Sequence, residues 1–574
     1  MSFTFNLCIG GQQGEGVASM GKILSQSLNE YGYYVFGYRN FSSRIKGGPT
    51  SYHLNISDER IEATKEKINL LLALDQQAID NHTHLLADDG IIIVEELFQA
   101  KITSNHFVFT YPFEKKGAEL GNKLYGNMMA IGLISKVLSL PLDYISFQVK
   151  RLFSNKSETI KNSNLVALNF GYNLPTKIPD LNLTSPNKKE KTILITGNQA
   201  VSLGLIGGGC KFMAAYPITP ASEIMEYMAE NIGSVGGSII QAEDEISAIS
   251  MAIGASYSGT RSITATSGPG LSLMGEAISL SGMTETPVVI VNVQRAGPST
   301  GMPTKQEQSD LDAALYSGHG EFPRIVLSPG NPEEAFHDGV LGLNLADIYQ
   351  CPVIILSDFY LGQSEYSSPI PKYQSISIDR GKIVPQEELD KRDNIPFPRY
   401  GYSEDGISPR TLPGQEKGLF YTTGVEHNEI GFTNTTPEVR VKMFNKRMSK
   451  LKDVELDNSY IHNNINSHTL LIGYGSSKGV LDKIYSLYKD KENSVDTLQM
   501  RILFPFPKKS LIKILEKYKN IVFIENNYTN QLYNLFRQYL EIKQEVATFN
   551  KYDGNLITID DISNFLERSI NNEI

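Results

Sequence analysis

The sequence has few cysteines, no tryptophan and no long apolar run, and each absence excludes a class of protein. Among 574 residues there are 3 cysteines and 0 tryptophans. The cysteines (Cys8, Cys210 and Cys351) are far apart and none belongs to a CxxC pair, which excludes a disulfide framework and a four-thiolate cluster. No apolar segment approaches the roughly 20 residues that span a bilayer, and the N-terminus lacks the pattern of a secretion signal. We therefore expect a cytoplasmic protein without a membrane segment.

Positive charge is also scarce. The chain has 53 Lys and Arg against 63 Asp and Glu, a formal net charge of -10. A nucleic-acid or membrane-surface partner requires a basic face, so neither is expected. An anionic substrate would need local cations. The length is too great for one core and predicts about three domains.

The order of strand-like and helix-like segments predicts an α/β fold. The N-terminal part opens with a strand, the glycine turn "GGQQGEG" and a helix, and fades into a polar linker at 172–191. From "TILITG" to "PVIILSD" strands alternate with helices, which predicts a parallel sheet with ligands beyond the carboxyl ends of its strands. The periodicity is lost over residues 373–467. The predicted segments are 1–185 (α/β domain), 191–365 (second α/β domain), 366–467 (insertion) and 468–574 (third α/β domain).

Three consecutive acids precede a predicted helix in "IIQAEDEISAISMAIGA". For Glu243 and Asp244 we favour a favourable interaction with the helix dipole, worth roughly 0.3–1 kcal/mol. Glu245 lies where strand becomes helix, next to a stripe of isoleucines and small alanines. Burial there would raise the pKa of its carboxyl and allow proton exchange with a bound base near neutral pH. A structural role for Glu245 remains the alternative.

Three further loops are predicted at strand carboxyl ends. In "AAYPITPASEI" two prolines present the hydroxyl of Thr219 in one direction, although Thr219 also suits a plain helix N-cap. The turn "TSGPGLSLMGE" either offers amides to an anion or allows close approach of the chain. Arg295 in "NVQRAGPSTGMPTKQEQSD" lies beside hydroxyls and glycines and suits bidentate binding of a carboxylate.

Two other motifs are weaker. "GGQQGEG" matches neither the dinucleotide fingerprint nor a P-loop, so phosphate binding is not favoured there. "GVEHNEIG", with Glu426, His427 and Glu429, lacks the two histidines of a zinc helix and is interpreted as an ordered loop. We predict no metal site on this chain.

Taken together, the motifs identify a resemblance that covers nearly the whole chain. The stretches "YPITPASE", "AEDEISAISMAIGASYSGTRSITATSGPGLSLMGE" and "VQRAGPSTGMPTKQEQSDL" resemble the α subunit of 2-oxoacid:ferredoxin oxidoreductases, especially the 2-oxoglutarate type. "GGQQGEGV" and "SSRIKGGPTSYHLNIS" resemble the γ component, here fused ahead of α. The tail, "LLIGYGSSKGVL" to "VFIENNYTNQL", resembles the family's transketolase-C-terminal-like domain.

The resemblance implies a central domain that binds the pyrimidine of thiamine diphosphate. Glu245 then corresponds to the glutamate that hydrogen-bonds N1′ of the aminopyrimidine. Thr219 and Arg295 correspond to residues that bind the substrate's oxo and carboxylate groups. Completing the implied set are further cofactor-binding residues (Tyr216, Pro217, Ile218 and Gly268) and substrate-binding residues (Thr300 and Thr304).

The implied reaction is the CoA-dependent oxidative decarboxylation of 2-oxoglutarate, with electrons passed to ferredoxin. The chain has no GDG motif followed by a suitably placed Asn for Mg²⁺ and diphosphate, and too few cysteines for an iron-sulfur cluster. Both are expected on a β subunit in an α2β2-like assembly. Two alternatives stay open, namely the same chemistry on pyruvate or a broader range of 2-oxoacids, and a non-catalytic module that binds a nucleotide or CoA.

Overall fold

The computed structural model of the chain describes residues 3–42, 47–96, 101–102, 106–179, 181, 183, 186, 188 and 190–570. Residues 43–46 of the γ-like motif and six residues of the predicted linker 172–191 lie outside this set. The chain forms two compact units. The first consists of Met1–Thr196, Gln363–Ile370 and Thr558–Ile574, and the second of Gly197–Gly362 and Pro371–Ile557.

The first unit contains an eight-stranded mixed sheet with the order β6-β5-β4-β1-β3-β2-β14-β7. Its strands are β1 (Thr4–Gln12), β2 (Tyr34–Phe41), β3 (Pro49–Ser57), β4 (Ile68–Ala73), β5 (Leu86–Glu95), β6 (Phe107–Tyr111), β7 (Thr192–Thr196) and β14 (Glu365–Pro369). The strands β1, β4, β5 and β6 are parallel, whereas β3 pairs antiparallel with both β1 and β2. The predicted strand–helix–strand opening is therefore present, with β3 inserted between its two parallel strands.

Helices cover this sheet. They are α1 (Val17–Tyr31), α2 (Gln76–His82), α3 (Phe113–Glu119), α4 (Tyr125–Val137), α5 (Leu142–Leu152), α6 (Glu158–Tyr172) and α20 (Ile559–Ile570). Helix α4 and helix α6 approach so closely that a Cβ on Gly171 would lie 1.9 Å from the carbonyl oxygen of Met129. In the glycine turn, Gly14 and Gly16 have φ of 96° and 91°, which a residue with a side chain rarely adopts. The turn is closed by a hydrogen bond from Gln13 N–H to the Gly48 carbonyl.

The second unit contains a seven-stranded sheet with the order β18-β12-β13-β11-β10-β8-β9, parallel except for β18. Its strands are β8 (Phe212–Ala215), β9 (Ser238–Gln241), β10 (Ser262–Thr266), β11 (Val288–Gln294), β12 (Ile325–Leu327), β13 (Pro352–Asp358) and β18 (Ile502–Phe504). The helices of this region are α7 (Gly197–Gly207), α8 (Ser222–Asn231), α9 (Glu245–Tyr257), α10 (Gly268–Leu273), α11 (Gly275–Met283), α12 (Leu311–Tyr316), α13 (Pro332–Tyr349) and α14 (Phe359–Gln363).

One strand assignment differs from the prediction. The alternating pattern placed "TILIT" in the central parallel sheet, but β7 pairs antiparallel with β14 in the first sheet. The local sequence is an apolar strand in either case. Its partner, Glu365–Pro369, lies more than 160 residues later in the chain, and local periodicity carries no information about so distant a pairing.

The same unit contains a five-stranded sheet with the order β15-β17-β16-β19-β20, parallel except for β15. Its elements are β15 (Tyr460–Asn463), β16 (Thr469–Tyr474), β17 (Val495–Met500), β19 (Asn520–Glu525), β20 (Glu545–Asn550), α17 (Lys478–Tyr488), α18 (Lys508–Leu515) and α19 (Gln531–Tyr539). One buried apolar cluster joins residues of this sheet, such as Ile472 and Phe523, to Ile290 and Ile354 of the central sheet. Three sheets with flanking helices confirm the α/β class.

The segment between these sheets contains two helices, α15 (Gln386–Leu389) and α16 (Pro437–Ser449). Buried ion pairs attach α16 and the residue just after it to the loop between α11 and β11. Lys446 and Lys450 lie 2.7 and 2.6 Å from the carboxylate of Glu285 in that loop. Burial opposes ionisation of Glu285, but these two lysines and Arg399 outweigh it and hold its pKa well below the usual range. The basic face of the insertion therefore serves this chain's own packing.

Among the described residues, no helix has both the length and the apolar character needed to cross a bilayer. Glu426 pairs with Arg440 and Arg447, at 2.8 and 2.7 Å. His427 is buried, and its Nδ1 lies 2.9 Å from the carbonyl oxygen of Val425. Glu426 and His427 are thus held by contacts within this chain, as expected of the ordered loop predicted from the sequence.

Candidate active site

The candidate site lies at one edge of the central sheet. Strands β8, β9, β10 and β11 run parallel to one another, so their carboxyl ends meet at the same edge. The segments after these strands carry Thr219, Glu245, Gly268 and Arg295, respectively. The sheet order thus brings together four loops that are well separated in sequence.

Glu245 is the first residue of α9 and is only 6% exposed. Among the residues that the structure describes, none donates a hydrogen bond to its carboxylate. Its two acidic neighbours behave differently. Asp244 is the N-cap and accepts a hydrogen bond from Ser247 N–H at 2.7 Å, while the exposed Glu243 accepts one from the Ser247 hydroxyl at 2.6 Å. Glu243 and Asp244 thus have local structural partners and Glu245 is buried, which is the division made from the sequence.

The glycine turn passes between Glu245 and a second acid, the half-buried Asp310. A Cβ on Gly270 would lie 2.8 Å from Oε1 of Glu245 and 2.0 Å from the hydroxyl of Thr266. A Cβ on Gly268 would lie 2.7 Å from Oδ1 of Asp310. Both positions therefore require glycine, because a side chain would displace a neighbouring carboxylate. Of the two roles considered for this turn, the structure shows that its glycines allow neighbouring chain segments to approach closely.

Arg295 follows β11 and is buried. Its Nη1 donates a hydrogen bond to the carbonyl oxygen of Thr219 at 2.6 Å, and its Nε is buried without a partner among the described residues. Burial lowers the pKa of Arg295, and the charge of Asp310 opposes that shift. The two residues singled out for substrate binding are therefore in direct contact, although through the backbone of Thr219 and not through its hydroxyl.

The loop after Arg295 folds back on itself. Ala296 forms an antiparallel bridge with Met302, and its N–H bonds to the carbonyl of Lys305 at 3.1 Å. Thr304 is buried at the base of this loop, whereas Thr300 is exposed at its turn. The roles of these two threonines in substrate binding stay predictions. So do the cofactor contacts of the half-buried Pro217 and Ile218, of the exposed Tyr216 and of Gly268.

Asp310 was not singled out from the sequence. Its N–H donates to the side chain of Gln294 at 3.0 Å, and its Oδ2 accepts a hydrogen bond from Asn292 at 2.9 Å. Burial raises the pKa of Asp310 to about 6, against the lowering effect of the Asn292 hydrogen bond. A signal was available: Asn292 and Gln294 are polar residues in the otherwise apolar strand "PVVIVNVQ" and needed a buried partner.

Apolar side chains are exposed around Glu245. Ile246, predicted to share an apolar stripe with Ile249 and Ile253, is 52% exposed, while the other two are buried. Leu273 at the end of α10 is 55% exposed. Other exposed apolar side chains on the same group of segments are Tyr216, Ile240 and Met251. The first turn of α9 thus presents an apolar face that the described part of this chain leaves uncovered.

Three family profiles match the chain in series. Residues 6–174 match pyruvate ferredoxin/flavodoxin oxidoreductase, residues 204–446 match pyruvate flavodoxin/ferredoxin oxidoreductase (thiamine diphosphate-binding), and residues 467–562 match pyruvate:ferredoxin oxidoreductase core domain II. The 2-oxoacid:ferredoxin oxidoreductase subunit alpha of a Sulfolobus species is 33% identical, over 98% of this chain and 96% of the relative. The chain belongs to the 2-oxoacid:ferredoxin oxidoreductase α-subunit family.

Comparison with solved structures indicates the same family. The 2-oxoglutarate:ferredoxin oxidoreductase from Magnetococcus marinus matches with a TM-score of 0.91 and 31% identity, over 99% of both chains. A shorter relative, the 2-oxoglutarate synthase subunit KorA of Methanocaldococcus jannaschii, is 34% identical over 64% of this chain and 96% of its own length. These findings confirm the predicted oxidoreductase and the thiamine diphosphate-binding fold of the central domain, and leave the regulatory-module alternative without support. The domain boundaries drawn from the sequence stay predictions.

Proposed function

We propose that this chain is the combined γ/α chain of a 2-oxoglutarate:ferredoxin oxidoreductase, and that it binds the pyrimidine half of thiamine diphosphate beside Glu245. The observation that carries the proposal is the environment of Glu245, a buried carboxylate at a helix start that accepts no hydrogen bond from the described residues. A carboxylate that has no hydrogen-bond partner within the described chain is free to accept one from a ligand. The aminopyrimidine N1′ is such a partner.

The residues around Glu245 fit this cofactor. Gly270 removes the side chain that would press on the Glu245 carboxylate, and Thr266 and Gly268 continue the same narrow turn. When bound, thiamine diphosphate supplies the electron sink for decarboxylation of a 2-oxoacid. The contribution of this chain is to hold a proton between Glu245 and N1′ in a site away from water. Tyr216, Pro217 and Ile218 are assigned to the same cofactor site.

Substrate recognition is assigned to Arg295 and Thr219. A guanidinium binds a carboxylate through two parallel N–H groups, and Arg295 uses one nitrogen, Nη1, for the carbonyl of Thr219. The buried Nε has no partner among the described residues and is available to a substrate oxygen. Thr300 and Thr304 are the further candidates for the same ligand.

The remaining cofactors are assigned to a β subunit. A four-cysteine cluster needs four thiolates, whereas the three cysteines of this chain are buried and dispersed on different elements. The exposed Ile246 and Leu273 beside Glu245 form the surface on which such a subunit would dock and complete the site. We place Mg²⁺, the diphosphate-binding motif and the iron-sulfur cluster on that subunit, in a cytoplasmic α2β2-like assembly that reduces ferredoxin and acylates coenzyme A.

The substrate assignment is the most specific part of the proposal. The Methanocaldococcus relative is named as a 2-oxoglutarate synthase subunit, and the Magnetococcus enzyme has 2-oxoglutarate, coenzyme A and succinyl-CoA bound. The matching family profiles are named after pyruvate, which makes pyruvate the second candidate.

The test is co-expression of this chain with its partner, followed by CoA-dependent reduction of a viologen dye. We expect a higher kcat/KM with 2-oxoglutarate than with pyruvate. The chain purified alone is expected to be colourless and inactive. A brown, active preparation of the single chain would contradict the assignment of the cluster to the partner, and preference for pyruvate would contradict the substrate assignment alone.

A further inference from the structure

A second group of chemically active side chains lies on the sheet of the first unit and has no part in the proposed reaction. Strand pairing places His53 on β3 directly opposite Cys8 on β1 and, on its other side, opposite Tyr38 on β2. Residues directly opposite one another on antiparallel strands project from the same face of a sheet. The His53 ring stacks on the Tyr38 ring, with centroids 4.7 Å apart and planes 4° from parallel. Two neighbouring strands therefore fix the position of the imidazole.

Helix α2 adds a second imidazole from above this face. His82, the last residue of α2, meets the His53 ring edge-on with centroids 5.4 Å apart. The packing at this point is close, since a Cβ on Gly10 of β1 would lie 2.7 Å from Ala78 and 3.4 Å from the His82 ring. Helix α2 thus packs directly against the sheet at the position of the cluster.

The spacing of the three side chains is close to that of a metal site. Cys8 Sγ lies 3.8 Å from His53 Nε2, and one ligand atom from each of Cys8, His53 and His82 lies within 4.8 Å of the others. Ligand atoms of a tetrahedral zinc site, with Zn–S of about 2.3 Å and Zn–N of about 2.0–2.1 Å, are roughly 3.3–3.6 Å apart. The cluster needs to contract by roughly 1.2–1.5 Å at most to reach that spacing.

The hydrogen bonding of His82 is incomplete. Its Nδ1 is buried and has no hydrogen-bond partner among the described residues. A neutral imidazole keeps the lone pair of one ring nitrogen for a ligand. His53 Nε2 lies 3.0 Å from the Ser51 hydroxyl, a group that can turn to donate elsewhere. His82 is half-buried, which leaves a route for an ion from solvent.

We propose that Cys8, His53 and His82 bind a single zinc ion. One thiolate and two imidazoles suit this borderline-soft cation, whereas Mg²⁺ and Ca²⁺ require oxygen ligands. Zinc takes cysteine as the thiolate, so the Cys8 thiol must lose its proton on binding. Zinc binding displaces that proton to solvent as the Zn–S bond forms, and no redox change is involved. The site is unrelated to the thiamine chemistry and does not depend on it.

The experiment uses the full-length chain, stripped with a chelator and titrated with Co²⁺ as a spectroscopic probe and then with Zn²⁺ alone. We expect one equivalent to bind and to produce a thiolate-to-cobalt charge-transfer band. Cys8→Ser is expected to abolish the band. The matched control is Cys210→Ser, which removes another buried cysteine and should leave the band unchanged. A band that survives Cys8→Ser, or binding equal in the two variants, would overturn the proposal.

A second variant guards against a folding defect at the buried cysteine. His82 is half-buried and ends its helix, so His82→Asn should fold, and His84→Asn removes an exposed histidine two residues later as the control. Loss of one metal ligand is expected to weaken zinc binding at least 10-fold. Zinc is expected to raise the Tm of the wild-type chain and of His84→Asn by about 2 °C or more, but not that of His82→Asn. Equal shifts in all three would mean adventitious surface binding and would overturn the site.

Discussion

Arg295 donates a hydrogen bond from Nη1 to the carbonyl oxygen of Thr219 at 2.6 Å, and so links the carboxyl ends of two strands that are not neighbours in the sheet. Strand β10 lies between them and supplies the glycine turn. The guanidinium therefore spans the loop that carries Gly268. A substrate carboxylate bound by Arg295 would be positioned by the backbone of a second loop as well.

Replacing Glu245 by Gln is expected to reduce turnover by on the order of 10²- to 10⁴-fold, because an amide cannot exchange the proton that a carboxyl does. Assembly with the partner should not change, since the buried carboxylate accepts no hydrogen bond from the described residues. The measurement is steady-state viologen reduction by the assembled complex. Glu243→Gln is the matched control, because that neighbouring acid is exposed. Equal activity of the two variants would exclude a catalytic role for Glu245.

Replacing Arg295 by Lys is expected to raise KM for the 2-oxoacid about 10- to 100-fold, since a charge-assisted bidentate contact worth roughly 1.5–3 kcal/mol is lost. The affinity for coenzyme A should stay the same. Arg324→Lys provides a control, because Arg324 is another buried arginine that instead contacts Ala314 and Ser317. That variant should lower stability and leave KM unaltered. An unchanged KM in Arg295→Lys would contradict the assignment of the carboxylate site.

Replacing Lys450 by Met is expected to destabilise the chain by about 3–5 kcal/mol, because the buried Glu285 carboxylate then loses one of its ion-pair partners. Urea denaturation of the isolated chain measures the effect. Lys442→Met, at an exposed lysine of helix α16, should change stability by less than about 0.5 kcal/mol. If both variants unfold at the same urea concentration, the ion pair does not anchor the insertion.

The pH dependence of stability tests the environment of Asp310. Burial raises its pKa to about 6, from an ordinary value of 3.8, so the folded state binds this proton more tightly than the unfolded state. The resulting contribution to stability is complete below about pH 4 and is lost as pH rises through about 6. Relative to Asp310→Asn, the wild-type chain should therefore lose about 2 kcal/mol between pH 4 and pH 7. Asp490→Asn, at an exposed acid, should follow the wild-type curve.

Much of the site could be predicted because it depends on local sequence. Glu245 follows a strand and begins a helix, and Arg295 ends an apolar strand, so each residue's place was evident from its neighbours. Parallel pairing then brings such strand ends together whatever the details of packing. The predicted contact of the Thr219 hydroxyl with the substrate stays a prediction, whereas the bond from Arg295 to the Thr219 carbonyl oxygen is a contact that local sequence does not specify.

The features that escaped prediction depend on contacts between distant segments. Asp310 is held by hydrogen bonds to Asn292 and Gln294, which lie 18 and 16 residues earlier. Ile246 was expected in the core because its spacing matches Ile249 and Ile253, yet helical periodicity does not tell which chain covers a face. No role was assigned from the sequence to the basic helix α16, because its Lys446 is paired with Glu285, 161 residues away in sequence.

The pairing of β14 with β2 and β7 has a consequence for how such a polypeptide can be divided. Between Thr196 and Glu365 the chain leaves the first sheet and returns to it, and these two residues are themselves partners in the β7–β14 ladder. Tyr52 and Ser25 also donate hydrogen bonds to the carboxylate of Glu365. If the backbone were cut ahead of β7, two complementary strand edges would remain, each with unpaired N–H and C=O groups. Such halves would be expected to reassociate by strand addition, so that one gene or two could encode the same eight-stranded layer.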